Sequence, residues 1–458
     1  MKLKKLVLAN FRGFEQIDLD FSDDVTVIAG VNGVGKSGIL KALTAALSLA
    51  LPKFTVSKEP TLGLSDTDVQ SGKHGLSVSA TLRLDLSYAI VDLTHAAPLS
   101  AERTENLIKR RDELRFATRE TKKGSKEEQE INDEIRPIEI QLDQASNIAA
   151  VRFLSENVTA DVASLIIEAK GDRRQPLAVL YTTSRFLSRL PPALPKTKKI
   201  DAAAAYDKSL NQVEVSLNDF ANWYRVISSE ASTATKDRLF QQLGQAIGKF
   251  LPEVYNLMLH DTRPPRFSVT KNDQTLFLEQ LSDGERGLLA LVFDLTRRLA
   301  IANPDSDNPI AEGVAIVLID EIELHLHPRW QRRVLRLLKN TFTCCQFIVT
   351  THSPQIIGQV RPEKLRLLHH GETGKVVQAR TSQSFGMDSS WILQNIMGVT
   401  ARDYETEQRI SAIYQAIDED DLKRARSLAE ELRAEIGDFS DLQEAIALLD
   451  RFALLSSE

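Results

Sequence analysis

The sequence predicts an α/β fold, in which a parallel sheet carries a glycine-rich loop and an acidic strand end. An inserted helical hairpin lobe interrupts it and a helical tail closes it. Three observations lead there. Gly30-Val31-Asn32-Gly33-Val34-Gly35-Lys36-Ser37 joins an apolar, β-branched run, Val25 to Ala29, to a stretch of helical spacing from Ser37 to Leu51 that stops at Pro52. Val314 to Ile319 is an unbroken apolar run, as in a strand buried on both faces, and it delivers Asp320 and Glu321 to the strand end. Between these, from about Ser100 to Ser146, charged residues dominate and Lys123-Gly124-Ser125 separates two helix-prone stretches, the pattern of an antiparallel hairpin.

The other elements follow in chain order. Leu3 to Leu8 and Ile17 to Phe21 are strands joined by a tight turn around Phe11-Arg12-Gly13-Phe14, and Val78 to Leu86 is another strand. The charged hairpin fits a solvated decoration and a contact arm for DNA or another subunit equally well. Pro191-Pro192 and Pro195 to Lys199 mark a loop. Asn211 to Leu251 is expected to be helical and to pack beside the hairpin. The sheet pattern resumes near Phe267, and three short amphipathic helices follow Glu405, punctuated at Asp418 to Asp421 and at Gly437-Asp438. The expected division is residues 1–95 and 261–385 for the two parts of the α/β head, 96–260 for the inserted lobe and 386–458 for the tail.

Composition narrows the function classes. The 458 residues suffice for two or three domains, and none of their apolar runs approaches the ~20 residues of a membrane helix. Asn10, Arg12 and Glu15 break any leader-like run after Met1. The two cysteines, Cys344 and Cys345, are adjacent in an apolar run and fit reduced, buried thiols of a cytoplasmic protein. From Arg402 to Glu458 there are 15 Asp/Glu against 7 Lys/Arg, so the tail carries −8 of a net −6 and the body is close to neutral. Contact with nucleic acid would therefore run through local patches.

The motifs carry the chemistry. Glycines such as Gly33 and Gly35, with Asn32 between strand and helix, let backbone N–H groups converge on phosphate oxygens at the positive end of a helix. Lys36 is placed to neutralise β- and γ-phosphates, and the Ser37 hydroxyl to hold Mg²⁺. Asp320 is the expected partner of that Mg²⁺ shell, and Glu321 the group that polarises an attacking water. Leu281-Ser282-Asp283-Gly284-Glu285-Arg286, about thirty residues before the acidic strand, offers the Ser282 hydroxyl and the Gly284 N–H at a helix start as a γ-phosphate site. His352, at the end of Ile348 to Ser353, is a candidate γ-phosphate sensor. Gln70 is a candidate third member of the Mg²⁺ shell, and Arg12 a candidate to lean over the nucleotide. His325 and His327 have the spacing of a metal pair, but a packing or subunit-contact role is favoured. Arg329, Arg332, Arg333 and Arg336 share one helical face, which fits a solvated or ion-paired surface as well as a nucleic-acid contact.

Taken together, Asn10 to Phe14, Gly30 to Ser37, Leu281 to Arg286 and Asp320-Glu321 with Glu323-Leu324-His325-Leu326-His327-Pro328 resemble the ABC-type P-loop ATPases of the SMC, RecF and OLD group. The resemblance covers roughly residues 1–90 and 265–385. Ile322 stands where that group often has proline, and no Toprim-like nuclease pattern follows Ser353. Such a head without its own nuclease, with Ser384-Phe385-Gly386-Met387-Asp388 and Trp391 to Leu393 after it, is similar to the PtuA family of Septu anti-phage defence.

That resemblance implies an ATP- and Mg²⁺-dependent ATPase, a separate HNH-type nuclease gated by nucleotide state and, in some systems, a retron reverse transcriptase with its DNA. One phosphate loop and one signature loop on opposite sides of a head cannot complete a site in one chain. A homodimer or higher even oligomer is therefore expected, Ser282 of one copy capping the nucleotide on Lys36 of the other. The alternative function is a stand-alone DNA-binding repair or recombination ATPase, and a slow ATP-binding scaffold is a third.

Overall fold

The computed structural model describes residues 1–84, 87–96, 101–120, 131, 134–135, 148–155, 174–212, 214–371, 374–399 and 403–455. It forms two compact units, Met1–Gly386 and Met387–Glu458. The first begins with β1 (Lys2–Phe11), β2 (Phe14–Asp20), β3 (Val25–Gly30), α1 (Lys36–Phe54), β4 (Gly75–Leu84), β5 (Ser87–Ala96), α2 (Ala101–Glu120), β6 (Ile148–Ser155) and β7 (Leu177–Tyr181). It continues through α3 (Leu217–Glu230), α4 (Thr233–Phe250), β8 (Val254–His260), β9 (Arg266–Lys271), β10 (Gln274–Phe277) and α5 (Asp283–Ala302). It closes with β11 (Ala315–Ile319), α6 (Pro328–Thr341), β12 (Gln346–Thr351), β13 (Leu365–His370) and β14 (Val376–Ala379).

The central sheet has the order β14-β13-β3-β12-β11-β7 and is parallel except for β14. Every residue of β3, β11 and β12 is buried, as a parallel strand covered on both faces requires. The glycine loop after β3 and the acidic pair after β11 therefore leave the same carboxyl edge, with β12 between them, which is where open α/β sheets bind ligands. A second sheet, β2-β1-β4-β5-β6, is antiparallel, and β10-β9-β8 form a third. Helix α1 contacts β4, β5 and β6 on one side and β3 and β7 on the other, and 14 of its 19 residues are buried, so it is a core helix and not an amphipathic one.

Several expectations change. Helix α1 runs through Pro52 to Phe54, because a proline in the last turn forfeits only the bond its N–H would make to Ser48, and the helix then closes with the Thr55 N–H and hydroxyl both donating to the Leu51 carbonyl. Residues 96–260 are not one inserted lobe. Strand β6 pairs with β5, β7 is a strand of the central sheet, and α3 and α4 pack on α5. The cause is aromatic: Phe220 of α3 stacks on Phe293 of α5 with centroids 4.4 Å apart, and Tyr224 stacks on Phe240 of α4 at 4.6 Å. What leaves the sheet between β5 and β6 begins with α2, whose Arg110 bonds to Glu134 at 3.2 Å. The remainder of the expected hairpin, 121–130, 132–133 and 136–147, lies outside the described residues. Both cysteines precede β12; Cys345 is buried and Cys344 is exposed.

Helix α5 is anchored by a buried ionic cluster. Asp294 accepts from Arg297 (2.8 Å), Arg298 (2.7 Å) and the Tyr181 hydroxyl at the end of β7 (3.0 Å). Arg298 also donates to the carbonyls of Ala205 and Asp207 and to Gln212, so its fork is satisfied although fully buried.

The second unit holds α7 (Ser389–Asn395), α8 (Tyr404–Asp418), α9 (Leu422–Ile436) and α10 (Ser440–Leu455). Ile410, Ile413, Ala425, Ala429, Leu432, Leu442 and Leu449 form its core. Asp403 and Asp421 cap α8 and α9, and Gly437 at φ 85° ends α9. Among the described residues no helix is long and apolar enough to cross a membrane.

Candidate nucleotide site

Helix α1 starts without a side-chain cap. Its N-cap is Gly35 at φ 97°, no acidic residue lies in its first turn, and Ser37 is exposed. The first N–H groups thus remain available to an anion. Glycine is required at 35 twice over: the φ is left-handed, and a Cβ would sit 2.7 Å from the Phe14 ring. Asn32 and Gly33 are exposed at the loop tip. The Lys36 ammonium donates to the carbonyls of Gly30 (2.8 Å) and Val31 (3.0 Å) of its own loop. Burial lowers its pKa, and the carboxylates of Glu323, Glu321 and Asp320 oppose that.

The acidic pair is held from two sides. Thr350 of β12 donates its hydroxyl to Asp320 Oδ1 at 2.5 Å and accepts the Glu321 N–H at 2.8 Å. From the other side the guanidinium of Arg185, four residues beyond β7, donates to the carbonyls of Asp320 (2.7 Å), Glu321 (2.8 Å) and Ile322 (3.2 Å). Burial brings the Arg185 pKa down to about 10, against the pull of Glu323, Asp320 and Glu321. The clamp matters because Glu321 sits at φ 44°, a left-handed conformation costing about 1–3 kcal/mol unless its surroundings impose it. Arg185 escaped the sequence analysis. The available signal was Leu177 to Tyr181, an apolar run with its first basic residue four positions on, after Thr182-Thr183-Ser184.

Glu323 is buried and accepts the His352 N–H at 2.6 Å. The same oxygen lies 3.2 Å from His352 Nδ1, although the angle there is not that of a hydrogen bond. The other oxygen, Oε2, has no partner among the described residues. His352 is thereby fixed to the loop of the acidic pair. His325 and His327 turn elsewhere: His325 lies against the Phe186 ring at 5.2 Å, and His327 Nδ1 accepts the Arg329 N–H at 3.2 Å as the cap of α6. Among the described residues no group of three or more His, Cys, Asp or Glu forms a metal cage.

Arg12 lies along α1, its Cδ 3.3 Å from where a Gly38 Cβ would be, and its Nε donates to Asp68 at 2.9 Å. Asp68 is fully buried and also takes Lys41 at 2.7 Å. Burial works to raise its pKa, but bonds from Lys41, Ser65 and Arg12 outweigh it and hold the carboxyl at about 2. Gln70 follows closely, its N–H bonded to Asn10 and its buried Oε1 without a partner among the described residues. By donor type, the orphaned Gln70 amide oxygen, the exposed Ser37 hydroxyl and the Asp320 carboxylate are all oxygens of the kind a hard cation such as Mg²⁺ takes.

Ser282 and Gly284 stand in a different setting. Ser282 caps α5 and donates its hydroxyl to Glu285 at 2.8 Å, while Glu285 returns to the Ser282 N–H at 3.0 Å. Lys271 holds Glu285 at 2.6 Å; with the Ser282 bonds it keeps that carboxyl below its ordinary value against the effect of burial. A Cβ on Gly284 would meet the His325 carbonyl at 2.5 Å, so only glycine allows the loop to rest there. The chain thus joins Lys36, Asp320, Glu321, Glu323 and His352 at one edge, holds Ser282 on Glu285, and sets Gly284 against His325 and Trp330.

The family model described as "AAA domain, putative AbiEii toxin, Type IV TA system" matches residues 25–358. The chain is 27% identical over 433 residues to "Retron Ec83 probable ATPase" of Escherichia coli, covering 88% of this chain and 77% of that one. It is 24% identical over 436 residues to "Retron Vc95 probable ATPase" of Vibrio cholerae, covering 85% and 78%. It is 38% identical over 117 residues to "Septu protein PtuA" of Bacillus mycoides, covering 25% and 16%. The family match spans well over half of the sequence and contains the phosphate loop, the acidic pair and the signature loop: the chain belongs to this AAA-domain family of ATPases.

Proposed function

We propose that this protein is the ATP-binding and hydrolysing regulatory subunit of an anti-phage defence complex, acting as a homodimer or higher even oligomer with shared nucleotide sites. The likeness to retron ATPases along most of both chains supports the setting. The observation that supports the mechanism is the contrast of the two helix starts: α1 beside Lys36 has no side-chain cap, whereas Ser282 already caps α5 in a box with Glu285.

In this mechanism the N–H groups after Gly33 and Gly35, with Asn32 at the tip, receive the phosphates, and Lys36 turns from its own carbonyls to them. Arg12 lies over the nucleotide. Ser37, Asp320 and Gln70 hold Mg²⁺, which when bound offsets charge on the β- and γ-phosphates. Glu321 orients the attacking water, and His352, held by Glu323, meets the γ-phosphate. Ser282 and Gly284 of a second copy close the site. ATP stabilises the closed pair, and hydrolysis releases it.

The acidic second unit is the dock for an HNH-type nuclease subunit, and a retron reverse transcriptase with its DNA is a further partner. The test is a pull-down of tagged full-length protein from its native cells, with and without ATP. A small HNH-type protein recovered in a nucleotide-dependent way is expected. DNA alone, with no protein partner, would overturn the gating role.

A further inference from the structure

We propose that the outer face of α6 binds the phosphate backbone of double-stranded nucleic acid through Arg329, Arg332, Arg333 and Arg336. Val334, Leu335 and Leu338 bury the inner face and fix the helix, while Arg329, Arg332 and Arg336 are exposed and Arg333 is half-buried. The helix contains no acidic residue from Pro328 to Thr341. Among the described residues none of the four guanidiniums has a carboxylate partner. Acids outnumber bases 63 to 57 in this chain, yet none of the described ones pairs with this face. Elsewhere Arg83 pairs with Asp23, Arg152 with Asp92, Arg238 with Asp307 and Arg409 with Glu435. On α6 only Lys339, at the far end, is paired, with Asp24.

The chemistry of the face selects its occupant. All four groups are guanidiniums, the forks that match phosphate oxygens in pairs. From Arg329 to Arg336 the helix rises about 10 Å, a length over which a duplex presents about six charges at one per about 1.7 Å of axis. The helix's one aromatic, Trp330, is turned to the signature loop, its ring 3.2 Å from where a Gly284 Cβ would be. Among the described residues of this helix no ring points outward to stack an unpaired base, so the contact is to backbone and not to single-stranded bases.

None of the four arginines is among the residues assigned to the nucleotide site, so the proposal can fail while the proposed ATPase mechanism stands. The probe is a fluorescein-labelled, mixed-sequence 30-bp DNA duplex, titrated with full-length protein and read by anisotropy at several NaCl concentrations. Four phosphate contacts predict a slope of log affinity against log salt of about −3.6, or about 10²-fold weaker binding at ~200 than at ~50 mM. R332E/R336E should cut the slope to about half and leave duplex-free ATP turnover and sedimentation unchanged. R329Q/R333Q should do the same without reversing charge. Wild-type protein that does not bind the duplex, or variants with unaltered affinity and slope, overturn the proposal. So does loss of self-association in the variants with duplex binding intact, which assigns the face to an acidic surface of a second copy.

Discussion

Replacing Arg185 by lysine tests whether the acidic turn is imposed from outside. The guanidinium spreads bonds over three successive carbonyls, Asp320, Glu321 and Ile322, at 2.7, 2.8 and 3.2 Å. A lysine keeps the charge but concentrates its donors on one atom, so it retains about one of the three. Bonds from a charged donor are worth about 1.5–3 kcal/mol each, so about 3–6 kcal/mol of restraint goes. The left-handed backbone at Glu321 needs about 1–3 kcal/mol of restraint. The loss exceeds the need, and the turn relaxes. A shift of about 1 Å in a positioned group costs about 10²-fold in rate. Steady-state ATP turnover by Arg185→Lys should therefore show kcat down about 100-fold with KM little changed, because Lys36 and the α1 N-terminus are intact. Methylguanidinium added to Arg185→Gly should restore part of the rate. Wild-type kcat in the lysine variant, or equal losses of kcat and nucleotide affinity, would refute the clamp.

Two further outcomes are expected. Asp294→Asn leaves Arg297 and Arg298 buried without a counter-charge and should cost the first unit about 3–5 kcal/mol in urea unfolding followed by buried Trp223, and a loss under about 1 kcal/mol contradicts the network. Asp68 has its pKa depressed to about 2 from 3.8, so its contribution is full above the ordinary value and lost as pH falls through about 2. Protection of the Arg12 N–H, which bonds to the Asp68 carbonyl, relative to its intrinsic exchange rate at each pH should fall on acidification in that window, and Asp68→Asn should remove the dependence.

What was legible in the sequence is what neighbouring residues decide among themselves. Gly30 to Ser37 and Val314 to Glu321 each carry strand, turn and charge within a few positions, and Gly437 ends a helix by its own φ. The residues that hold the site together bridge long stretches of chain. Arg185 meets Asp320 across 135 positions, and Thr350 meets Asp320 across 30. Neither has a local period or spacing to betray it. The placing of α3 and α4 failed for the same reason: Phe220 and Tyr224 read as apolar positions of a helix, and nothing local says that the face they fill belongs to α5 rather than to a hairpin.

The pairing of β5 with β6 has a consequence for how such a protein can change. Thr94 lies opposite Ile148 in the antiparallel register, so the chain leaves the sheet and returns to it at adjacent positions. To the head, whatever is threaded between those points is one closed loop, whose entropy rises only logarithmically with length, by about 0.6 kcal/mol per doubling. Insertions, deletions and wholesale exchange there leave the strand register, the phosphate loop and the acidic turn as they are. Exchanging what lies between those two points is therefore a change the head can absorb at a small, length-insensitive cost.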